Sequence, residues 1–206
     1  MTKGQKRLLI IGIVVAVLIF LVSRGYSFFA GNYNAMVAMQ ETVSSSWAQV
    51  ENQYQRRYDL IPNLVATVKG YAAHESDVFT GLAEARSKAG GVLQVSDEIL
   101  DDPEAFKRFQ QAQNELGSAL QRLLVVTENY PELKANQNFL ALQDQLEGTE
   151  NRIATERKRF NDAVRNYNMF IKMFPRSIIA NNAGFREKSY FTAENQAQSA
   201  PAVSFE

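Results

Sequence analysis

Few side chains in this 206-residue chain combine a reactive type with a useful spacing. Histidine occurs once, at His74, directly before Glu75. A zinc-binding helix needs a second imidazole four residues on, and that position is Val78. Asp59, Glu75, Glu128, Glu147, Glu150 and Glu156 supply carboxylates. Di-iron bundles pair such glutamates with a histidine three residues later, and none is available. Cysteine is absent, which excludes disulfide scaffolds, thiol nucleophiles and cysteine-ligated metals. No cofactor and no enzymatic activity are expected, because no polar constellation suggests a reaction. Lys plus Arg and Asp plus Glu each number 22, so the chain is neutral. Neutrality argues against a nucleic-acid partner held by an overall basic charge.

The informative polar residues sit inside an apolar pattern. Between Tyr33 and Ala85 two series recur every seven residues. One runs Tyr33, Gln40, Trp47, Tyr54, Ile61, Val68, Glu75, Leu82; the other runs Met36, Val43, Val50, Arg57, Leu64, Tyr71, Val78, Ala85. Apolar groups dominate both, as on the seam of a long helix packed against others. Gln40, Arg57 and Glu75 break the rule. A charge on a buried seam costs several kcal/mol unless it is paired. Arg57 and Glu75 would stand about 27 Å apart along one helix, so each needs a partner from elsewhere. A register-fixing structural role is preferred to a ligand site.

The chain then reads in order. Lys3, Lys6 and Arg7 precede the uncharged run Leu8–Val22, and after Arg24 apolar character resumes through Tyr26, Phe28 and Phe29. With Arg24 snorkelling to the interface, 8–29 is long enough to anchor the chain in a bilayer. No small-residue cleavage site follows the run, and the basic N-tail favours a cytoplasmic N-terminus. The expected organisation is an N-tail at 1–7, a transmembrane anchor at 8–29, a helical bundle over 30–190 and a flexible tail over 191–206. The long helix is expected to pass Pro62 and to end at Gly90-Gly91, a turn signal. Asp102-Pro103-Glu104 starts a second helix, 131–136 (PELKAN) forms a turn, and a third helix ends before Pro175. The fold class is therefore all-α: an N-terminal transmembrane helix continuing into a long antiparallel, coiled-coil-like bundle of three helices.

Tyr33-Asn34, Trp47-Ala48-Gln49-Val50, RRYDLIPNLV over 56–65, Val68-Lys69-Gly70-Tyr71-Ala72, His74-Glu75, YPELKAN over 130–136, TENRIA over 149–154 and the terminal 201–205 (PAVSF) resemble the LemA family. The resemblance covers nearly the whole chain. It implies a bacterial, membrane-anchored, mostly helical protein with a long antiparallel bundle. That family has no established enzymatic role, so no catalytic residue carries over. Phe160 stands where the family pattern often has tyrosine, which removes one hydroxyl.

The expected function is a non-enzymatic, membrane-anchored helical scaffold that self-assembles in the cell envelope. The alternative is an envelope sensor or adaptor that binds a protein or peptide partner. The expected partners are the chain itself, the lipid bilayer and other envelope proteins. The expected location is the inner membrane, single-pass, with the C-terminal domain outside the cytoplasm. Three residue sets follow. Arg56, Arg57, Asp59, Glu75, Glu128 and Glu156 form a structural polar core, with Glu128 pairing with Arg56 or Arg57 and Pro131 within two helical turns of Pro62. Tyr33, Gln40, Val43, Trp47, Val50 and Tyr54 form an apolar stripe that intrachain helices are too short to cover. That stripe becomes an oligomeric stalk, with Gln40 fixing register between copies. Val203 and Phe205 dock on a neighbouring subunit or partner.

Overall fold

In the computed structural model, which describes residues 3–93 and 99–192, the described residues are helical throughout apart from turns and the stretch after Gly184. The fold is all-α. Among the described residues six helices follow in order: α1 (Lys3–Lys69), α2 (Ser76–Leu93), α3 (Pro103–Thr127), α4 (Pro131–Lys134), α5 (Gln137–Lys172) and α6 (Arg176–Ala183). Two units are distinguishable. One comprises Met1–Thr42 with Asn166–Glu187, and the other Val43–Arg165 with Lys188–Glu206.

The larger unit departs from the expected three-helix bundle at one place. Helix α1 runs through Pro62 but stops at Lys69, before Gly70, whose backbone freedom disfavours a helix interior. Tyr71 and Ala72 donate their N–H groups to the Val68 carbonyl at 3.0 and 2.9 Å, and α2 begins at Ser76 with Asp77 in its first turn. The chain therefore folds back at residues 70–75. Lys69 lies 5.2 Å from the Phe79 ring, and the Arg86 guanidinium lies 4.0 Å over the Tyr58 ring, as an antiparallel pair requires. The seven-residue pattern passes through this turn because both arms face one core, which holds Ile61, Leu64 and Val68 together with Phe79, Leu82 and Ala85.

Gly90 and Gly91, the expected turn, lie inside α2. Their role is close approach: a Cβ on Gly90 would come within 2.9 Å of the Tyr58 hydroxyl and 3.1 Å of its ring. Gly90→Leu is expected to displace the Tyr58–Arg86 stack and destabilise the unit by about 1–3 kcal/mol. Gly91→Leu, where a Cβ meets nothing within 4 Å, should change little. Thermal unfolding of both variants checks this, and equal losses would contradict it.

Helix α3 starts where the sequence places it. Asp102 is the N-cap, its carboxylate accepting the Glu104 N–H at 2.9 Å, and Pro103 occupies the first turn. It returns antiparallel to α2, with Lys88 and Glu115 paired at 3.1 Å, and buries Leu116, Leu120 and Leu123. Each fully buried leucine stabilises by roughly 1.5–3 kcal/mol. The PELKAN turn meets the 70–75 turn: the Tyr130 hydroxyl donates to Glu75 at 3.1 Å, and Asn136 Nδ2 donates to the Tyr71 hydroxyl at 2.9 Å. Those contacts lie beyond Lys69, which is itself about 10 Å past Pro62. The PELKAN turn thus meets the chain beyond Pro62, at the 70–75 turn, because the fold-back comes some twenty residues earlier in the chain than Gly90. Helix α5 then runs back beside α1. The larger unit is a four-stretch antiparallel arrangement rather than three.

Two residues assigned to a flexible tail belong to this unit. Phe191 is buried, its N–H and C=O both bonded to the Asn161 side chain at 2.9 Å, and the Thr192 carbonyl accepts from Gln110 at 2.6 Å. Val203 and Phe205 lie outside the described residues.

In the smaller unit, Gly184 closes α6 in the left-handed conformation, φ 80°. Its N–H and that of Phe185 satisfy carbonyls of the last turn. Helix α1 here carries the apolar run, the one described helix long and apolar enough to cross a membrane.

Candidate binding cleft

Arg57 projects from α1 into the larger unit and is 4% exposed. An ionised group in such a place must have its desolvation offset by partners. Its Nη1 donates to both Glu150 carboxylate oxygens on α5, at 3.0 and 3.3 Å. Its Nη2 donates to the Gln113 backbone oxygen at 3.1 Å and to the Gln113 side-chain oxygen at 2.5 Å, on α3. Tyr54, one turn earlier, lies with its ring 5.1 Å from the guanidinium carbon. One arginine thus ties three helices through charge-assisted bonds, the geometry for which a planar guanidinium is suited. Two donors remain over: Arg57 Nε and Gln113 Nε2 are buried with no hydrogen-bond partner among the described residues.

Around this arginine opens a cleft of about 810 Å³. Its floor is the buried Leu120, Leu146 and Ile153 with the partly covered Leu124; Gln113, Asn114, Gln121 and Gln143 supply amides; Arg57, Arg122, Arg157, Glu147 and Glu150 supply charges. An apolar floor edged by groups that both donate and accept suits a short peptide segment, whose main chain needs both. A second groove of about 720 Å³ runs along the α2–α3 face past Lys88, Lys107 and Glu115. It has no buried charge like Arg57. There Lys88 and Gln111 hold the exposed Glu115 carboxyl below its ordinary range.

Burial lifts the Tyr54 phenol above its ordinary value of 10.0, with Arg157, which also hydrogen-bonds it, and Arg57 pulling the other way. The fold therefore favours the neutral phenol. This contribution is intact below pH 10 and is lost as pH rises through the raised folded value. Tyr54→Phe should show a shallower loss of stability above pH 10 than the parent. Alkaline denaturation followed by circular dichroism checks this; identical slopes would place the proton release elsewhere.

A family model described as the LemA family matches residues 46–205. This chain belongs to the LemA family. It is also similar to the magnetosome protein MamQ of Magnetospirillum gryphiswaldense, 30% identical over 174 residues, covering 77% of this chain and 64% of that protein. Magnetosome proteins MamQ 1 and MamQ 2 of Paramagnetospirillum magneticum match at the same identity and coverage. The chain therefore spans 64% of the length of these curated relatives.

The LemA segment RRYDLIPNLV faces several ways at once. Arg57 points inward and Tyr58 backs Arg86 and Gly90. Arg56 and Asp59 are exposed, so neither belongs to a polar core; Asp59 accepts a bond from Gln55 at 2.8 Å, one turn away. Glu128 is exposed at the end of α3 and pairs with neither Arg56 nor Arg57, since the α3 end lies by the 70–75 turn. Glu75 is half-buried in that turn, where its contact raises the Tyr130 phenol above its ordinary value. Glu156 pairs with Arg159 within α5 at 2.8 Å. His74 is exposed in the same turn, away from the cleft lining. Glu150, weighed above only as a metal ligand, and Gln113 are the partners that sequence reasoning missed. An unpaired seam arginine signalled that acceptors were needed but not which ones.

The stalk assignment is overturned for four residues. Val43, Trp47, Val50 and Tyr54 are buried within this single chain. Trp47 lies 5.1–5.9 Å from the rings of Phe106, Phe109, Phe160 and Phe191. Because α1 folds back at 70–75, α3 begins level with Trp47, and the segment after α6 completes the cover. Phe160 fills this ring cluster with no exposed surface, so a phenyl suits the site. Tyr33 and Gln40 are only partly covered; Tyr33 packs edge-on against Phe185 at 5.6 Å.

Proposed function

We propose that this LemA-family chain is a non-enzymatic, membrane-anchored adaptor whose bundle holds a segment of another envelope protein in the Arg57 cleft. The apolar run of α1 anchors it in the inner membrane, with the basic N-tail in the cytoplasm and the bundle outside. The observation that carries this reading is the cleft itself: a concave groove between helices with an apolar floor, edged by amides and charged groups that can both donate and accept. Self-assembly, the other reading of the sequence, loses its main support because the stripe through Trp47 already has partners in its own chain. The magnetosome relatives share most of this chain's length and are named for an organelle rather than a reaction. That favours a binding role over catalysis.

The test uses the full chain in its membrane. A photo-crosslinking residue at Gln143, in the cleft, should form an adduct with a different protein, and Arg157→Glu should abolish it. The same residue at exposed Asn151, outside the lining, should form none. An adduct of twice the chain's mass would restore self-assembly. Equal adducts at both positions, or none at Gln143, would remove the cleft as the binding surface.

A further inference from the structure

The smaller unit exposes an apolar corner that the proposed adaptor role leaves unexplained. Where α5 turns into α6, Met169, Met173, Phe174 and Ile178 are 52%, 47%, 83% and 54% exposed. Phe174 is more exposed than any large apolar side chain of the 8–29 run itself. Isolated exposed apolar residues need no explanation, but four at one corner do. Lys172, Arg176 and Arg186 belong to the same stretch, against a single acid, Glu187, which pairs with Lys172 at 2.7 Å.

The corner is pinned to one level of α1. Arg176 Nε donates to Asn32 Oδ1 at 3.0 Å while its guanidinium carbon covers the Phe170 ring at 4.1 Å. Asn32 in turn donates to the Phe28 carbonyl at 2.7 Å, and the Tyr33–Phe185 contact holds the segment after α6 beside the next residue. Asn32 follows Phe29, where the apolar run ends, by about 5 Å of helix. Aromatic residues with flanking cations are the side chains favoured where acyl chains meet headgroups.

We propose that the α5–α6 corner, with Phe174 at its tip, inserts into the headgroup boundary of the bilayer that α1 crosses. Arg186 then meets anionic headgroups, while Lys172 stays paired with Glu187 at 2.7 Å. The occupant is lipid rather than protein because Asn32 and Tyr33 hold the corner within about a turn of helix of Phe29, where the apolar run of α1 ends. The inference rests on reading 8–29 as a membrane span.

The chain has no cysteine, so single-cysteine variants can report depth directly. Full-length Phe174→Cys, Ile178→Cys, Val17→Cys and Val125→Cys would each carry a bimane label in nanodiscs containing phosphatidylglycerol. Labels at 174 and 178 should lose most of their emission to lipids spin-labelled near the headgroup and resist aqueous iodide. Val125, 65% exposed on α3, should do the reverse. Ile178→Cys keeps Phe174 in place, so loss of the tip residue cannot mask insertion. With Val17 quenched by deep spin-labelled lipid, iodide quenching at both 174 and 178 would overturn the proposal. Shielding of both from iodide and lipid alike would assign the corner to a protein partner and overturn it too. An unquenched Val17 label would remove the membrane span, and the corner's insertion with it.

Discussion

Trp47→Asp should abolish cooperative folding of the unit built from Val43–Arg165 and Lys188–Glu206. Trp47 is 4% exposed and touches phenyl rings contributed by α3, α5 and the segment after α6. Removing a buried tryptophan alone costs about 3–5 kcal/mol through lost transfer energy and the cavity left behind. A carboxylate in that cavity adds several kcal/mol of desolvation, and together these rival a total domain stability of roughly 5–15 kcal/mol. Trp47→Phe is the matched control. The indole N–H has no partner among the described residues, so phenylalanine forfeits volume but no hydrogen bond there. Circular dichroism melts of the full chain in detergent should show a single transition for the parent and Trp47→Phe, and none for Trp47→Asp. A Trp47→Asp chain that kept its melt and only changed its assembly mass would return Trp47 to an interface between copies.

Arg57→Ala should be the next most damaging change, for an electrostatic reason. It strands the buried Gln113 side-chain oxygen and releases Glu150 from its pairing with α1. Breaking a fully buried pair costs about 3–5 kcal/mol. Here Glu150 is 44% exposed and keeps water as a partner, so roughly 2–3 kcal/mol is expected. Arg57→Lys should recover only part of this, since an ammonium cannot reach Glu150 and both Gln113 oxygens in the planar geometry of the guanidinium. A double-mutant cycle with Glu150→Gln isolates the pair from the Gln113 bonds. A coupling energy indistinguishable from zero would show that the ion pair adds nothing beyond those bonds. Because Arg57 also lines the cleft, any loss of crosslinking at Gln143 in these variants must be compared at equal folded fraction.

Much of the architecture was legible in the residues. The seven-residue repeat, the Asp102-Pro103 start, the break before the PELKAN turn and the charge-free run at Leu8–Val22 all depend on local backbone and solvation preferences. The all-α class and the helix starting at Pro103 follow from them. The motifs RRYDLIPNLV and YPELKAN pointed to the LemA family for the same reason: they are contiguous. A repeat of seven, however, reports which face is apolar and is indifferent to whether the helix continues or folds back onto that face. Gly70 and Ser76-Asp77 were the available stop and start signals, and Gly90-Gly91 offered a stronger-looking turn. Only the packed structure shows that Gly90 makes room for Tyr58. From that displaced turn every later register followed. Phe106 and Phe109 came level with Trp47, Glu150 and Gln113 came to Arg57, and Glu128 was left in solvent. A sequence determines that a buried arginine must find acceptors, because its desolvation energy is local. Which acceptors it finds is decided by where the chain reverses, because helices far apart in sequence meet at a register set by the length of the arms between turns.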